Sequence, residues 1–173
     1  MSEARTFPMK QGDLDWLCSI YAAVNLRHLR DTSFSVSAAD ELFKYLVKTQ
    51  LPRRKWNIGR YVAEGVDPNA DIVELFQAAG FSNVEPIDPR AETFAAECNQ
   101  SSGLLIYVVE ITSDRGRFSH YTIANRVTQS GDIALYDSWK FDRLVRVDDE
   151  LKAGDLDVMI WKAWRIGSPA NGR

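Results

Sequence analysis

The stretch Gln11-Gly-Asp-Leu-Asp-Trp-Leu-Cys-Ser-Ile-Tyr-Ala-Ala-Val-Asn25 places a cysteine between a short polar loop and an apolar segment. From residue 17 to about residue 30, apolar and aromatic side chains recur every three or four positions, which predicts a helix with one buried face. With Asp15 as the predicted N-cap, Cys18 lies in the first turn, where backbone amides and the helix dipole favour the thiolate over the thiol. The stretch therefore predicts a central helix that begins with a reactive cysteine.

Helical spacing and local stop signals predict further helices in the N-terminal half of the chain. The predicted elements are a helix over residues 38–49 with Ser37 as its N-cap, a helix from residue 69 or 70 to residue 79 with Gly80 as its stop, a short strand over residues 83–87, and a helix over residues 90–98. The first hundred or so residues are therefore expected to be mostly helical.

After the turn Ser101-Ser-Gly103 the pattern changes, because β-branched and aromatic residues become frequent and the apolar runs are too short for helices. The predicted strands cover residues 104–111, 120–127, 132–136 and 156–166, with a hairpin turn at residues 129–132. We therefore predict an α+β protein with a helical half of about residues 1–100, in which the cysteine-bearing helix is central and packs on a C-terminal antiparallel β-sheet of about residues 101–173. Neither a repeat nor a low-complexity linker interrupts the sequence, so we expect one domain over residues 1–173.

The composition predicts a soluble globular protein with neither a nucleic-acid nor a membrane partner. An apolar fraction of 45% suffices for a core, and a net charge of −3 gives no general basic field. The basic residues 53–55, with Arg60 nearby, are expected to form a solvated loop. Because the N-terminus lacks a signal-peptide pattern and no 18 apolar residues run together, we expect a cytoplasmic protein with reduced thiols, and export without a cleaved signal peptide stays open.

Three residues that lie far apart in the sequence are candidates for a catalytic triad. Cys18 is the candidate nucleophile, His120 at a predicted strand start is the candidate base, and Asp137 at the next strand end is the candidate orienting carboxylate. The predicted layout brings them together only at the seam between the two halves, where clefts form. The amide of Cys18 and the carboxamide of Gln11 are the candidate donors of an oxyanion hole.

A purely structural role is the competing interpretation, because a cysteine near a helix start is more often structural than catalytic. The combination favours catalysis, since the chain has only 2 histidines and the other one, His28, lies on the same helix, about three turns from Cys18. His28 is therefore expected to be a hydrogen-bonded core residue. No cysteines or histidines have the spacing of a zinc site and no glycine-rich phosphate loop is present, so we predict neither a metal nor a cofactor.

At these residues the sequence resembles the papain-like cysteine peptidases, particularly the compact bacterial branch related to bacteriocin-processing peptidases. The resemblance rests on the glutamine-containing loop before the Cys18 helix, on His120-Tyr at a strand start, and on Asp137-Ser-Trp139, which is similar to the Asn-Ser-Trp of papain relatives. It implies a papain-like fold, a Gln-Cys-His-Asp order of site residues, and a protein or peptide substrate.

Residues beside the triad are candidates for a substrate cleft, namely Trp16, Ser19, Tyr121 and Trp139. Ser19 stands where the family often has glycine, and Trp16 stands where a small residue is usual, so Trp16 is expected to narrow the cleft beside the thiol. Substrate preference is expected to depend on the polar stretch of residues 50–68.

The expected function is hydrolysis of an amide or peptide bond through a thioester on Cys18. The same triad would serve a glutamine deamidase or an acyltransferase, and any of these could be a bacterial effector. A catalytically inactive papain-like module that binds a partner through tryptophan anchors is the alternative of another class. A cell-wall amidase is disfavoured, because Leu17 stands where such enzymes usually carry aspartate.

Overall fold

The structure is a computed structural model that describes residues 7–9, 17–50, 71–101, 103–110, 119–137 and 141–168. Within these residues the helices are α1 (Cys18–Arg30), α2 (Val36–Gln50), α3 (Ile72–Ala78) and α4 (Phe94–Gln100). The strands are β1 (Val84–Ile87), β2 (Leu104–Glu110), β3 (Ser119–Val127), β4 (Ile133–Tyr136), β5 (Arg143–Val147), β6 (Glu150–Ala153) and β7 (Leu156–Ile166). The predicted basic loop, and the predicted specificity stretch beyond Gln50, lie outside the described residues.

The start of α1 differs from the prediction by a few residues. Leu17 is the N-cap rather than Asp15, because the Leu17 carbonyl accepts the amide of Ile20 at 2.9 Å and the amide of Tyr21 at 3.0 Å. Cys18 is therefore the first helical residue. It lies closer to the positive end of the helix dipole than a cap at Asp15 would place it.

Two other helix starts also differ from the prediction. Ser35, rather than Ser37, caps α2, because the Ser35 hydroxyl accepts an amide of the first turn at 3.2 Å. Helix α4 begins at Phe94 rather than near Arg90, because the Asp88 carboxylate accepts the amide of Arg90 at 2.9 Å and forms a local turn there. In both cases a polar side chain accepts a backbone amide close to the predicted helix start and thereby shifts that start.

Two predicted turns are confirmed. Gly80 follows α3 with a φ of 88°, a conformation that favours glycine, and its amide donates to the Gln77 carbonyl at 2.9 Å. In the hairpin between β3 and β4, Gly131 has a φ of 85° and the amide of Thr128 donates to the Asp132 carbonyl at 2.8 Å.

The strands form one antiparallel sheet in the order β1-β7-β2-β3-β4-β5-β6. Strand β6 also pairs with β7, so strands β2 to β7 close into a ring of six, and β1 pairs with the last residues of β7. Strands β5 and β6 were not predicted, because each has a single fully buried side chain, Leu144 and Ala153 respectively. The closed ring leaves fewer exposed strand edges than an open sheet would.

The ring separates two clusters of buried side chains. Register partners Leu105 and Ile123 lie on its outer face, in the cluster that includes α1. Register partners Val108 and His120 lie on the inner face, whose cluster also includes Cys98 of α4. Because His120 is the second residue of β3, its side chain lies near one end of the ring.

The α+β class is confirmed, because the helices lie in the first hundred residues and most of the strands of the single antiparallel sheet follow them. Helix α1 contacts β3 most extensively and also reaches α2, α3 and β4, which agrees with its predicted central place. In the described residues no helix is long and apolar enough to cross a membrane.

Candidate active site

Cys18 opens α1 and is 6% exposed. As the first helical residue it has an amide directed toward the N-terminal side of the helix, where the dipole contributes roughly half a positive charge. The same amide is suited to donate to an oxygen that becomes negative next to the sulfur.

His120 and Asp137 come together across the neighbouring strands β3 and β4. His120 Nε2 donates to Asp137 Oδ1 at 2.6 Å, and the two side chains are 6% and 1% exposed. Asp137 directly follows β4, whose last register pair joins Tyr136 to Ile123. Since side chains alternate along an extended chain, Tyr136 points outward with Ile123 while Asp137 points inward with His120.

His120 also shares a hydrogen bond with Cys18. Because Asp137 engages Nε2, the ring nitrogen left for the sulfur is Nδ1. Burial alone would lower the pKa of His120, but the hydrogen bonds and charges of Asp137 and Cys18 outweigh burial and raise that pKa from 6.5 to about 10. These contacts favour the protonated ring, and the structure brings the three predicted triad residues together.

The structure leaves three other predicted site residues outside the part that it describes, namely Gln11, Trp16 and Trp139. The two remaining cleft candidates are both buried. Ser19 has no exposed surface, and Tyr121 is 2% exposed with its ring 4.6 Å from that of Tyr107 and 6.2 Å from that of Trp164. Ser19 and Tyr121 are therefore core residues, which corrects the expectation that they line a cleft.

Sequence reasoning missed Thr122, whose side chain lies beside the triad. Thr122 follows His120 by two residues on β3 and therefore shares its inner face. It is 2% exposed, and its Oγ1 has no hydrogen-bond partner within the described part of the chain. A buried hydroxyl without a partner is costly, but nothing in the sequence distinguishes this threonine from others on strands.

A contact between α1 and β4 was also missed. His28 Nδ1 and Tyr136 Oη are 2.7 Å apart, and the ring of Phe7 stacks on that of His28 with centroids 3.6 Å apart. The predicted hydrogen bond of His28 is thus confirmed, although the ring is half-buried rather than fully in the core. The preceding segment is also attached to α1, because Asn25 Oδ1 accepts the amide of Met9 at 2.7 Å.

The second thiol, Cys98, has a different environment. It is fully buried on α4, its Sγ donates to the carbonyl of Ala124 at 3.4 Å, and burial raises its pKa to about 11. Neither cysteine forms a disulfide. Over the ranges that the structure describes, no three histidine, cysteine or acidic side chains form a group that could hold a metal ion.

The sequence matches no protein-family model and no curated protein. What the site can do therefore follows from its geometry. A sulfur at a helix start, an imidazole hydrogen-bonded to it and a carboxylate behind the imidazole have the places of a nucleophile, a proton carrier and an orienting group. Such a set can attack a carbonyl carbon and pass a proton to a leaving group.

Proposed function

We propose that the protein is a cysteine hydrolase of papain-like fold that cleaves an amide or peptide bond in a protein or peptide substrate. The observation that carries the proposal is the buried 2.6 Å contact of His120 with Asp137, together with the hydrogen bond of the same imidazole to Cys18. A buried charge is costly unless it is paired. A histidine with a purely structural role could stay neutral, and it would not need both a carboxylate and a sulfur as partners. The order of the three residues along the chain also supports the proposal.

The proposed reaction begins when the thiolate of Cys18 attacks the carbonyl carbon, while the carbonyl oxygen becomes negative next to the Cys18 amide. The imidazolium of His120 gives its Nδ1 proton to the leaving amine, and a thioester remains on the sulfur. Neutral His120 then takes a proton from a water molecule that attacks the thioester. The acid product leaves, the thiolate re-forms, and Asp137 accepts from Nε2–H throughout.

Glutamine deamidation and acyl transfer would use the same three residues, because only the leaving group or the acceptor differs. The products of peptide hydrolysis, glutamine deamidation and acyl transfer distinguish the three reactions. Incubation with a peptide mixture followed by mass spectrometry detects new peptide termini for a peptidase, conversion of glutamine to glutamate for a deamidase, and an added acyl group for a transferase. We propose peptide hydrolysis first, in a cytoplasmic enzyme or a delivered bacterial effector.

A second candidate function is favoured by the burial of the same residues. Cys18 is 6% and His120 is 5% exposed, so little of either side chain is open to a substrate. A papain-like module that binds a partner without catalysis would keep such a buried arrangement. It would have no need of a thiolate, and the state of the Cys18 sulfur therefore separates the two candidates.

The test is the pH dependence of alkylation of Cys18 by iodoacetamide. Cys98→Ser in every variant isolates the site, and the serine hydroxyl can donate to the Ala124 carbonyl as the thiol does. We expect labelling to stay fast about two pH units below the ordinary thiol pKa of about 8.5, because the imidazolium stabilises the thiolate. His120→Ala removes that partner and is expected to abolish the fast labelling at low pH.

Labelling that follows an ordinary thiol pKa, with no change in His120→Ala, would overturn the proposal and leave the binding module ahead. Low-pH labelling that depends on His120 supports the hydrolase. The peptide mixture then identifies the reaction, and Cys18→Ala is the matched control for every product.

A further inference from the structure

The strand end that carries Asp137 is attached to the helix that carries Cys18. Tyr136 is the last residue of β4 and pairs with Ile123, so Asp137 lies one residue beyond the register pairs of the strand. Because Asp137 is bonded directly to Tyr136, a shift of Tyr136 at this strand end also moves Asp137.

The side chain of Tyr136 is held by α1. Its Oη lies 2.7 Å from His28 Nδ1, and the two rings are nearly parallel, with an interplanar angle of 8°. Phe7 stacks on the ring of His28 at 3.6 Å, which limits the orientations that the imidazole can adopt. Burial raises the pKa of Tyr136 above its ordinary value, so its hydroxyl stays neutral.

We propose that the hydrogen bond between His28 and Tyr136 positions Asp137 for its contact with His120, an inference that rests on the proposed function. Both are positioning residues, since neither touches the reacting atoms. Helix α1 carries Cys18 at its first residue and His28 in its last turn. The contact therefore fixes the position of the strand end that carries Asp137 relative to the helix that carries Cys18.

The geometry of the triad makes this placement consequential. A hydrogen bond of 2.6 Å between His120 and Asp137 is short, and a displacement of about 1 Å would break it. Neighbouring side chains of an extended strand point to opposite faces, so Tyr136 points toward α1 while Asp137 points to the inner face. The orientations of the two side chains are therefore linked. A rotation of the strand end that frees Tyr136 from His28 would therefore move the carboxylate away from Nε2.

Two single variants test the proposal in the Cys98→Ser background. Tyr136→Phe removes one hydroxyl group, and His28→Phe keeps an aromatic ring against Phe7 while removing Nδ1. Each is expected to lower the rate of Cys18 alkylation below neutral pH by about threefold to tenfold, the effect of one hydrogen bond. The double variant is expected to lose no more than either single variant, because both remove the same contact.

Two control variants separate positioning from general destabilisation. Ile133→Val weakens packing of the same strand without touching the hydrogen bond, and Tyr45→Phe removes the hydroxyl of an exposed tyrosine on α2. Both are expected to leave the pH profile of Cys18 labelling unchanged. Circular dichroism of all variants checks that they are folded at the pH values used.

The outcomes distinguish this inference from the proposed function. If Cys18 is labelled at low pH equally fast in the Tyr136→Phe variant and in the protein that retains Tyr136, the positioning role is overturned and the proposed hydrolase function is unaffected. An equal loss in Ile133→Val also overturns it, because the effect would then follow from stability. A Cys18 that shows no low-pH labelling at all overturns both proposals.

Discussion

The two thiols of this protein are both buried, yet they lie in chemically different surroundings. Cys98 lies within α4 and donates to the carbonyl of Ala124, and burial raises its pKa to about 11. Cys18 is the first residue of α1 and shares a hydrogen bond with His120, whose pKa is raised to about 10. Burial alone therefore does not decide what a thiol does. Its place on the helix and the charge of its partner decide more.

The largest expected effect is a difference in reactivity between these thiols. In the native wild-type protein at neutral pH, we expect iodoacetamide to label Cys18 at least about 10³ times faster than Cys98, because a thiol with a pKa near 11 is almost never a thiolate there. Peptide mapping by mass spectrometry over a time course measures both rates in one sample. Rates within tenfold of each other would remove the proposed distinction between the two sites.

Asp137→Asn tests how much of that difference depends on charge behind the imidazole. The amide oxygen can still accept from Nε2, but the lost negative charge is expected to lower the pKa of His120, because Asp137 raises it in the wild type. We expect Cys18 labelling at neutral pH to fall about tenfold, and Asp137→Ala, which also removes the acceptor, to lose about tenfold more. Asp149→Asn, at an exposed position, is the matched control. An Asp137→Asn protein that labels like wild type would show that orientation alone matters.

The raised pKa of His120 also predicts how stability changes with pH. The pKa rises from 6.5 to about 10 on folding, so the protonated ring contributes stability that is fully present below about pH 6.5 and is lost as the pH rises through about 10. The free energy of unfolding of wild type relative to His120→Gln should therefore shrink across that interval. Urea denaturation at a series of pH values measures it. A difference that grows with pH in this interval would contradict the assignment of an imidazolium.

The parts of the fold that the sequence predicted are those with a strong local pattern. The apolar period of α1 and the β-branched run of β2 predicted elements that the structure confirms. Strands β5 and β6 escaped prediction because each has a single fully buried side chain, and the place of β6 depends on its pairing with β7, which closes the ring. Closure of the ring is a property of the whole sheet, and no local sequence pattern indicates it.

The same division holds for the candidate site. The order of Cys18, His120 and Asp137, and their places at element ends, could be read from the sequence, and the structure brings them together. The partner of His28 could not be predicted, because it depends on which side chain of β4 faces α1. The predicted N-cap, Asp15, was wrong for a local reason. The prediction assumed a polar side chain as the cap, whereas Leu17 caps α1 through its backbone carbonyl.

Thr122 connects the two thiol environments and gives the smallest expected effect. It lies on β3 between His120, which contacts Cys18, and Ala124, whose carbonyl contacts Cys98. Because its buried Oγ1 has no partner in the described ranges, Thr122→Val is expected to raise the free energy of unfolding by about 0.5 to 1 kcal/mol and to leave Cys18 labelling unchanged. Thr128→Val is the opposing control, since Thr128 Oγ1 accepts the amide of Asp132 at 3.1 Å and its loss should destabilise the turn. A Thr122→Val protein that is less stable, or that labels more slowly at Cys18, would show that this hydroxyl supports the triad.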